Sequence, residues 1–225
     1  MTKILVVLTN ITHYQKTTDA TGLWLGEATE FVNTVQQAGW QVDYVSPQGG
    51  YVPLDPRGLK YAQATDFQLY ASSDFQTRAL SHSLRPSDIN PADYAAIYYT
   101  GGHGVMWDFP NNAVLQAISL AIYRQGGYLT SVCHGIAGLL NIKTETGAYL
   151  IADRQITGFT TSEEWLSGKK SVVPFLNEQL AKAHGAHFQK KRAYATFAIQ
   201  DGQLITGQNP FSATAVAHKL LDNLA

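Results

Sequence analysis

Ile4-Leu5-Val6-Val7-Leu8, followed at once by the polar Thr9-Asn10, is an unbroken run of β-branched and leucine residues. A run of this kind reads as a strand buried on both faces of a parallel sheet, because a half-exposed strand would alternate apolar with polar positions. Downstream, Gly26 to Ala38 places Ala28, Phe31, Val32 and Val35 at helical spacing and ends at Gly39, where a helix C′ glycine belongs. Val42 to Val45 follows as a second strand. Strand, helix and strand in this order make a βαβ unit, whose right-handed crossover favours a parallel sheet covered by helices.

The pattern repeats along the chain. Ala95 to Tyr99 is a strand running into Gly101-Gly102, Val114 to Tyr123 a helix closed by Gly126-Gly127, and Tyr128 to Val132 a strand that leads straight into Cys133. Gly135 to Leu140 reads as a short helix, Gln155 to Phe159 as a strand, and Val173 to His184 as a helix ending at Gly185. Tyr194 to Ile199 and Leu204 to Thr206 form an antiparallel hairpin around Asp201-Gly202, and Ser212 to Leu224 is a last amphipathic helix. Residues 49–91 are interrupted by Pro53, Pro56, Pro86 and Pro91 and are expected to be an insertion packed on the core of one domain spanning residues 1–225.

The chain has 225 residues, a formal net charge of −1 and one cysteine. A lone cysteine excludes an intrachain disulfide and any multi-cysteine zinc or iron–sulfur site, so cysteine chemistry here must be that of a thiol. Sixteen Lys and Arg against seventeen Asp and Glu give no electrostatic footprint for nucleic acid, and Lys169-Lys170 and Lys190-Lys191-Arg192 read as solvated surface. The first apolar run is too short for a signal peptide core, and no stretch reaches the length of a membrane span; a soluble, cytoplasmic protein without membrane partners is expected.

In an open parallel sheet, ligands gather beyond the carboxyl ends of the strands. Four segments fall there: the loop with His13 and Glu27, Gly101 to Gly104, Cys133-His134-Gly135, and Gly158 to Glu164. Ser131-Val132-Cys133-His134-Gly135 has the layout of a nucleophile elbow with Cys133 at its apex, where a helix N-terminus would favour the thiolate. The plain alternative is a buried structural cysteine. Gly101-Gly102-His103-Gly104 would let backbone N–H groups approach a ligand as an oxyanion hole requires, although Gly-Gly after a strand also serves simple tight turns. From position, His103 belongs equally to pocket or surface. Glu27 opens a helix, where the dipole favours a carboxylate with or without chemistry, and Glu163-Glu164 follow Thr160-Thr161-Ser162 in a capping pattern that is the default account of at least one of them. His184 and His187 lack carboxylate or thiol company, so metal binding is not expected there. Neither phosphate-binding glycine motif is present.

Taken together, these segments resemble the ThiJ/PfpI superfamily, and within it the branch of glutathione-independent glyoxalases (glyoxalase III) and heat-inducible chaperone-like proteins. The residues that carry the resemblance are Thr21-Gly22-Leu23-Trp24 with Glu27, Val45 to Gly50 with Pro53-Leu54-Asp55-Pro56, Gly101 to Gly104 with Asp108-Phe109-Pro110, Val132 to Gly135, Thr157 to Thr160 with Glu163-Glu164, and Leu204 to Pro210. Ile136 departs from the proline that many relatives carry after His-Gly. The resemblance implies a flavodoxin-like three-layer α/β sandwich with a mostly parallel central sheet and helices on both faces. It also implies Cys133 as nucleophile, His134 with Glu164 completing a Cys-His-Glu triad, Glu27 hydrogen-bonded to the sulfur, and Gly102 and His134 N–H groups at the oxyanion site. His103 joins this substrate-binding set, and Glu163 is the alternative triad acid.

The chemistry implied is conversion of methylglyoxal and similar small α-oxoaldehydes to 2-hydroxy acids through a Cys133 hemithioacetal, with no metal, glutathione or other cofactor. Two carboxyls and a thiol in one pocket push their pKa values apart, so Glu27 would hold a proton beside a thiolate. Either Glu27 or His134 could be the base; Glu27 is preferred. Alternatives are a holdase-type chaperone for unfolded clients, a redox sensor, a protein deglycase, and a cysteine peptidase or amidase. The peptidase reading is disfavoured because consecutive side chains leaving an elbow rarely meet well enough for proton abstraction. Family habit implies a homodimer.

Overall fold

The computed structural model describes residues 3–224. β1 (Lys3–Val7) sends Ile4 and Val6 to one side of the sheet and Leu5 and Val7 to the other, and all four are fully buried. The strand therefore needs apolar residues at every position, which is why its sequence does not alternate. Helix α1 (Leu25–Gln37) covers the first side with Ala28, Phe31, Val32 and Val35, and β2 (Gln41–Val45) then returns parallel to β1. After α2 (Ala64–Tyr70) come β3 (Tyr94–Tyr99), α3 (Val105–Asp108), α4 (Ala113–Arg124), β4 (Tyr128–Val132) and α5 (Ala137–Leu140). The remainder is β5 (Gln155–Ile156), α6 (Thr161–Leu166), α7 (Asn177–Ala183), β6 (His187–Phe188), β7 (Ala198–Asp201), β8 (Leu204–Gly207) and α8 (Ala213–Leu224).

The main sheet has the order β2-β1-β3-β4-β8-β7, parallel throughout except for the β7–β8 hairpin. One core joins Leu5, Val7, Ile97, Tyr99 and Leu129 to α4, α5 and α7; the other joins Ile4, Val6, Ala96, Tyr98 and Ile205 to α1 and α8. This is the flavodoxin-like three-layer arrangement. The chain leaves β1 toward β2 on one side and toward β3 on the other, so a crevice opens at the carboxyl ends of β1 and β3. Ile97 lies at the centre of β3 between β1 and β4 and is fully buried. Ile97→Ala should therefore destabilise by about 2–5 kcal/mol through lost burial and the cavity left behind, read as a lower urea midpoint at unchanged slope.

Three elements differ from the sequence expectations. The Gln155 to Phe159 strand shortens to Gln155–Ile156 and pairs with β6 in a separate two-stranded sheet. It stops because the Thr157 N–H donates to Thr206 Oγ1 instead of a neighbouring strand, and Thr160 already caps α6. The helix expected from Val173 begins at Asn177, since Pro174 keeps its preceding residue out of helical geometry. The strand expected from Tyr194 begins at Ala198, with Tyr194 itself at φ 59°. Within residues 49–91, Phe75 and Ala79 pack beside Tyr44, and bridges from Leu84 to Val45 and Leu54 to Leu23 hold the segment against the sheet edge and the start of α1.

Candidate active site

Cys133 stands where β4 turns into a 3-10 turn over Cys133–Ile136, with φ at 57°. A non-glycine residue in the left-handed region costs about 1–3 kcal/mol and persists only where its surroundings impose it. The side chain is buried, and its Sγ lies 3.3 Å from His134 Nδ1. The expectation that two consecutive elbow side chains would miss one another is thus corrected: the strained backbone turns both toward the same point. His134 Nε2 is 2.8 Å from Glu164 Oε2, which makes Glu164, not Glu163, the acid on this histidine.

Glu163 has a different task. Its Oε2 accepts from the Thr160 N–H and hydroxyl, and its Oε1 accepts from the Tyr194 N–H, Gln208 and Asn209. It caps α6 and ties together the loops around residues 194 and 208. One of the two adjacent glutamates is thus fully explained by capping, and the other is not.

Glu27 lies in the first turn of α1, fully buried against the Cys133 thiol and Gly101, with no conventional hydrogen bond closing on either carboxyl oxygen. Burial holds its pKa well above the ordinary carboxylate value. Burial, and then the charge of Glu27, push the Cys133 thiol up as well. Gly101 has to be glycine: a Cβ there would overlap the Glu27 carboxyl and touch Cys133. Gly102 has φ 99°, and a Cβ would run into the Gly22 carbonyl.

His103 is buried and bound on both ring nitrogens. Nε2 is 2.8 Å from Glu164 Oε1, and Nδ1 is 2.8 Å from Arg57 Nη2. An arginine only donates, so Nδ1 accepts and Nε2 carries the proton. The two imidazoles outweigh the burial of Glu164 and hold its carboxyl well below the usual range; being ionised, it must accept from both. His134 then keeps an Nδ1 lone pair toward the thiol. His103 has both ring nitrogens engaged, so its ring leaves no N–H free for an oxyanion, and it lines the same pocket as Cys133 and His134. Arg57 is itself clamped by Asp55, through Nε to Oδ1 at 3.0 Å and Nη2 to Oδ2 at 2.7 Å, and Thr21 donates to Asp55. His13 lies outside this group, exposed and hydrogen-bonded to Thr12; its neighbour Tyr14 is the buried residue, 5.5 Å from the His103 ring.

His103, His134 and Glu164 present ligand-type atoms within 4.8 Å of one another. The donor set does not suit a cation, because Arg57 on Nδ1 keeps the His103 Nε2 protonated and directed at the carboxylate.

Asp55 and Arg57 carry no role in the sequence reading. The only signal near them is Pro53-Leu54-Asp55-Pro56, which marks a rigid turn and not the salt bridge it presents.

A model of the DJ-1/PfpI family matches residues 20–223. The chain belongs to the DJ-1/PfpI family. It is 34% identical over 235 residues to the protein named glutathione-independent glyoxalase HSP31 of Saccharomyces cerevisiae, covering 99% of this chain and 98% of that one. Among solved structures, the Francisella tularensis Rapid Encystment Protein 24 KDa superimposes with a TM-score of 0.96 at 34% identity, with full coverage of both chains. The structure titled glyoxalase III from Candida albicans gives 0.88 at 29%, covering 98% of this chain and 96% of its own. No helix among the described residues is long and apolar enough to cross a membrane.

This DJ-1/PfpI protein should feel His103 in its acid stability. Burial, and then the neighbouring His134, push the His103 pKa down to about 4. The unfolded chain takes up a proton near pH 6.5, while the folded chain resists until about pH 4. The stability present above pH 6.5 is therefore lost as the pH falls across that window. Chemical denaturation at a series of pH values should show this loss in the wild type and a flatter profile in His103→Gln.

Proposed function

We propose that this protein is a glutathione-independent glyoxalase that converts small α-oxoaldehydes such as methylglyoxal to 2-hydroxy acids, with Cys133 as nucleophile. The observation that carries the reading is a buried, unpartnered Glu27 carboxyl packed against a thiol that also faces His134 Nδ1. A carboxyl with no structural partner, at the reacting atom, is suited to moving protons. The names of the relatives support the same reading.

As Cys133 Sγ bonds to the aldehyde carbon C1, the thiol proton passes to His134 Nδ1, and Glu164 stabilises the imidazolium. Glu27 gives its proton to the C1 oxygen and becomes a carboxylate. That carboxylate then removes the C1 hydrogen; the electron pair forms the C1–C2 double bond of an enediol, and the C2 oxygen takes the proton from His134. Glu27 next protonates C2, the C1 hydroxyl proton is lost to the regenerated base, and a thioester remains. Water cleaves the C–S bond and restores the thiol. C1 is oxidised and C2 reduced by equal amounts, so no external oxidant or reductant enters. Gly102 and His134 N–H groups are assigned to the C1 oxygen.

Purified protein with methylglyoxal and no glutathione should release lactate, followed by an enzymatic lactate assay. Absence of lactate above buffer would reject the reading. The Cys133–His134–Glu164 line also fits a cysteine peptidase or amidase. Against that, burial and then Glu27 push the thiol up, where a peptidase keeps it ionised. A fluorogenic peptide amide should therefore show no release that Cys133→Ala removes.

A further inference from the structure

Cys133 and His134 lie at the base of a pocket of about 560 Å3. That volume suits a ligand of drug size, on the order of 300–1,000 Å3, and far exceeds what methylglyoxal fills. Beyond the reacting thiol the walls carry five aromatic rings, beside Lys60, Leu166, Ser167 and Pro210. Trp24 stacks on Tyr61 at 5.7 Å and 25°, and Phe159, Tyr194 and Phe211 form an edge-to-face series at 6.1 and 6.3 Å. Tyr61 and Phe211 are 60% and 49% exposed, so each leaves ring surface open in the pocket for a substrate to cover. Among the described residues no acidic side chain lines this pocket; of its two cationic residues, Lys60 and Arg57, Arg57 is committed to Asp55 and His103.

From this lining we infer that the enzyme's preferred substrates are α-oxoaldehydes whose ketone carbon bears an aromatic ring, held by Tyr61 and Phe211. The inference rests on the glyoxalase reading above and names its substrate class. With C1 bonded to Cys133, the substituent on C2 has to extend away from the thiol into the rest of the pocket, where a methyl group meets little and an aryl ring meets flat aromatic surface. The reaction remains the internal redox exchange already written: phenylglyoxal and water give mandelate, with the thiol regenerated.

The test compares kcat/KM for phenylglyoxal and methylglyoxal. The wild type should favour phenylglyoxal about tenfold or more, the discrimination expected of an apolar subsite. Phe211→Ala and Tyr61→Ala, both at partly exposed positions, should each lower that ratio about three- to tenfold, mainly through KM for phenylglyoxal. A wild-type ratio near one, or a ratio that neither variant changes, would overturn the inference. So would a variant that weakens self-association while leaving the ratio intact, since those rings would then serve a second copy of the chain. If the wild type converts neither aldehyde, the glyoxalase reading fails by itself, and calorimetric titration with the products decides the subsite. Mandelate binding more tightly than lactate, with the difference lost in Phe211→Ala, supports it; equal binding overturns it.

Discussion

Cys133→Ser should lower lactate formation from methylglyoxal by at least about a thousandfold, or roughly 4 kcal/mol of transition-state stabilisation. Serine differs from cysteine by one atom and places no new volume in the elbow, so the strained φ of 57° and the packing around it stay as they are. What disappears is the chemistry. A hydroxyl is a much weaker nucleophile than a thiol facing His134 Nδ1 at 3.3 Å, and the hemithioacetal and thioester need sulfur. Circular dichroism and the melting temperature should match the wild type, so that the loss is assigned to the reaction and not to unfolding. Retention of more than a tenth of the lactate rate would move the nucleophile elsewhere.

The sheet was readable because β1 and β3 are apolar on both faces, and a strand of this kind has few competing readings at five or six residues. The elbow was readable for a related reason: a cysteine directly after a buried strand and before His-Gly has nowhere to go but the carboxyl edge of the sheet. Direction, as distinct from position, was not readable. Glu163 and Glu164 are adjacent on α6, and a helix turns consecutive side chains by about 100°, so only one of them can face His134. Which one depends on how Thr160 enters the helix. The contact between Cys133 and His134 was argued against on generic grounds and is made because φ at Cys133 is positive, a fact no residue pattern prints. Arg57 shows a further limit. It reaches His103 from 46 residues away, across a segment whose prolines announce irregular structure without saying what that structure touches.

The paired histidines have a consequence for how the site holds charge. Glu164 accepts from both His103 and His134, and Arg57 anchors the far side of His103. The carboxylate is therefore fixed as an anion that accepts from both imidazoles and, at Oε1, from the Ser167 hydroxyl, and His134 cannot rotate its Nδ1 away from the thiol without losing its bond to Glu164. Glu27 is the opposite case. It is a carboxyl packed against the Cys133 thiol with no conventional hydrogen bond, its pKa pushed up by burial. In the proposed mechanism one acid of the site orients and the other transfers.

Glu27→Gln should separate these roles. The amide fills the same space and cannot take the C1 proton, so lactate formation should fall about 10²- to 10⁴-fold, the usual range for losing a general base. Thiol ionisation should move the other way. Burial and then the charge of Glu27 raise the Cys133 pKa, so without the carboxyl the thiol ionises at lower pH. The midpoint of iodoacetamide alkylation against pH should shift downward while turnover collapses. Thermal stability should change little, because glutamine has the shape and volume of a protonated glutamate. A residue that only supported the thiol's position would, when replaced, lower stability and alkylation together with turnover. Turnover within tenfold of the wild type, or an upward shift of the alkylation midpoint, would remove Glu27 as the base and leave His134 Nδ1 as the group placed to act.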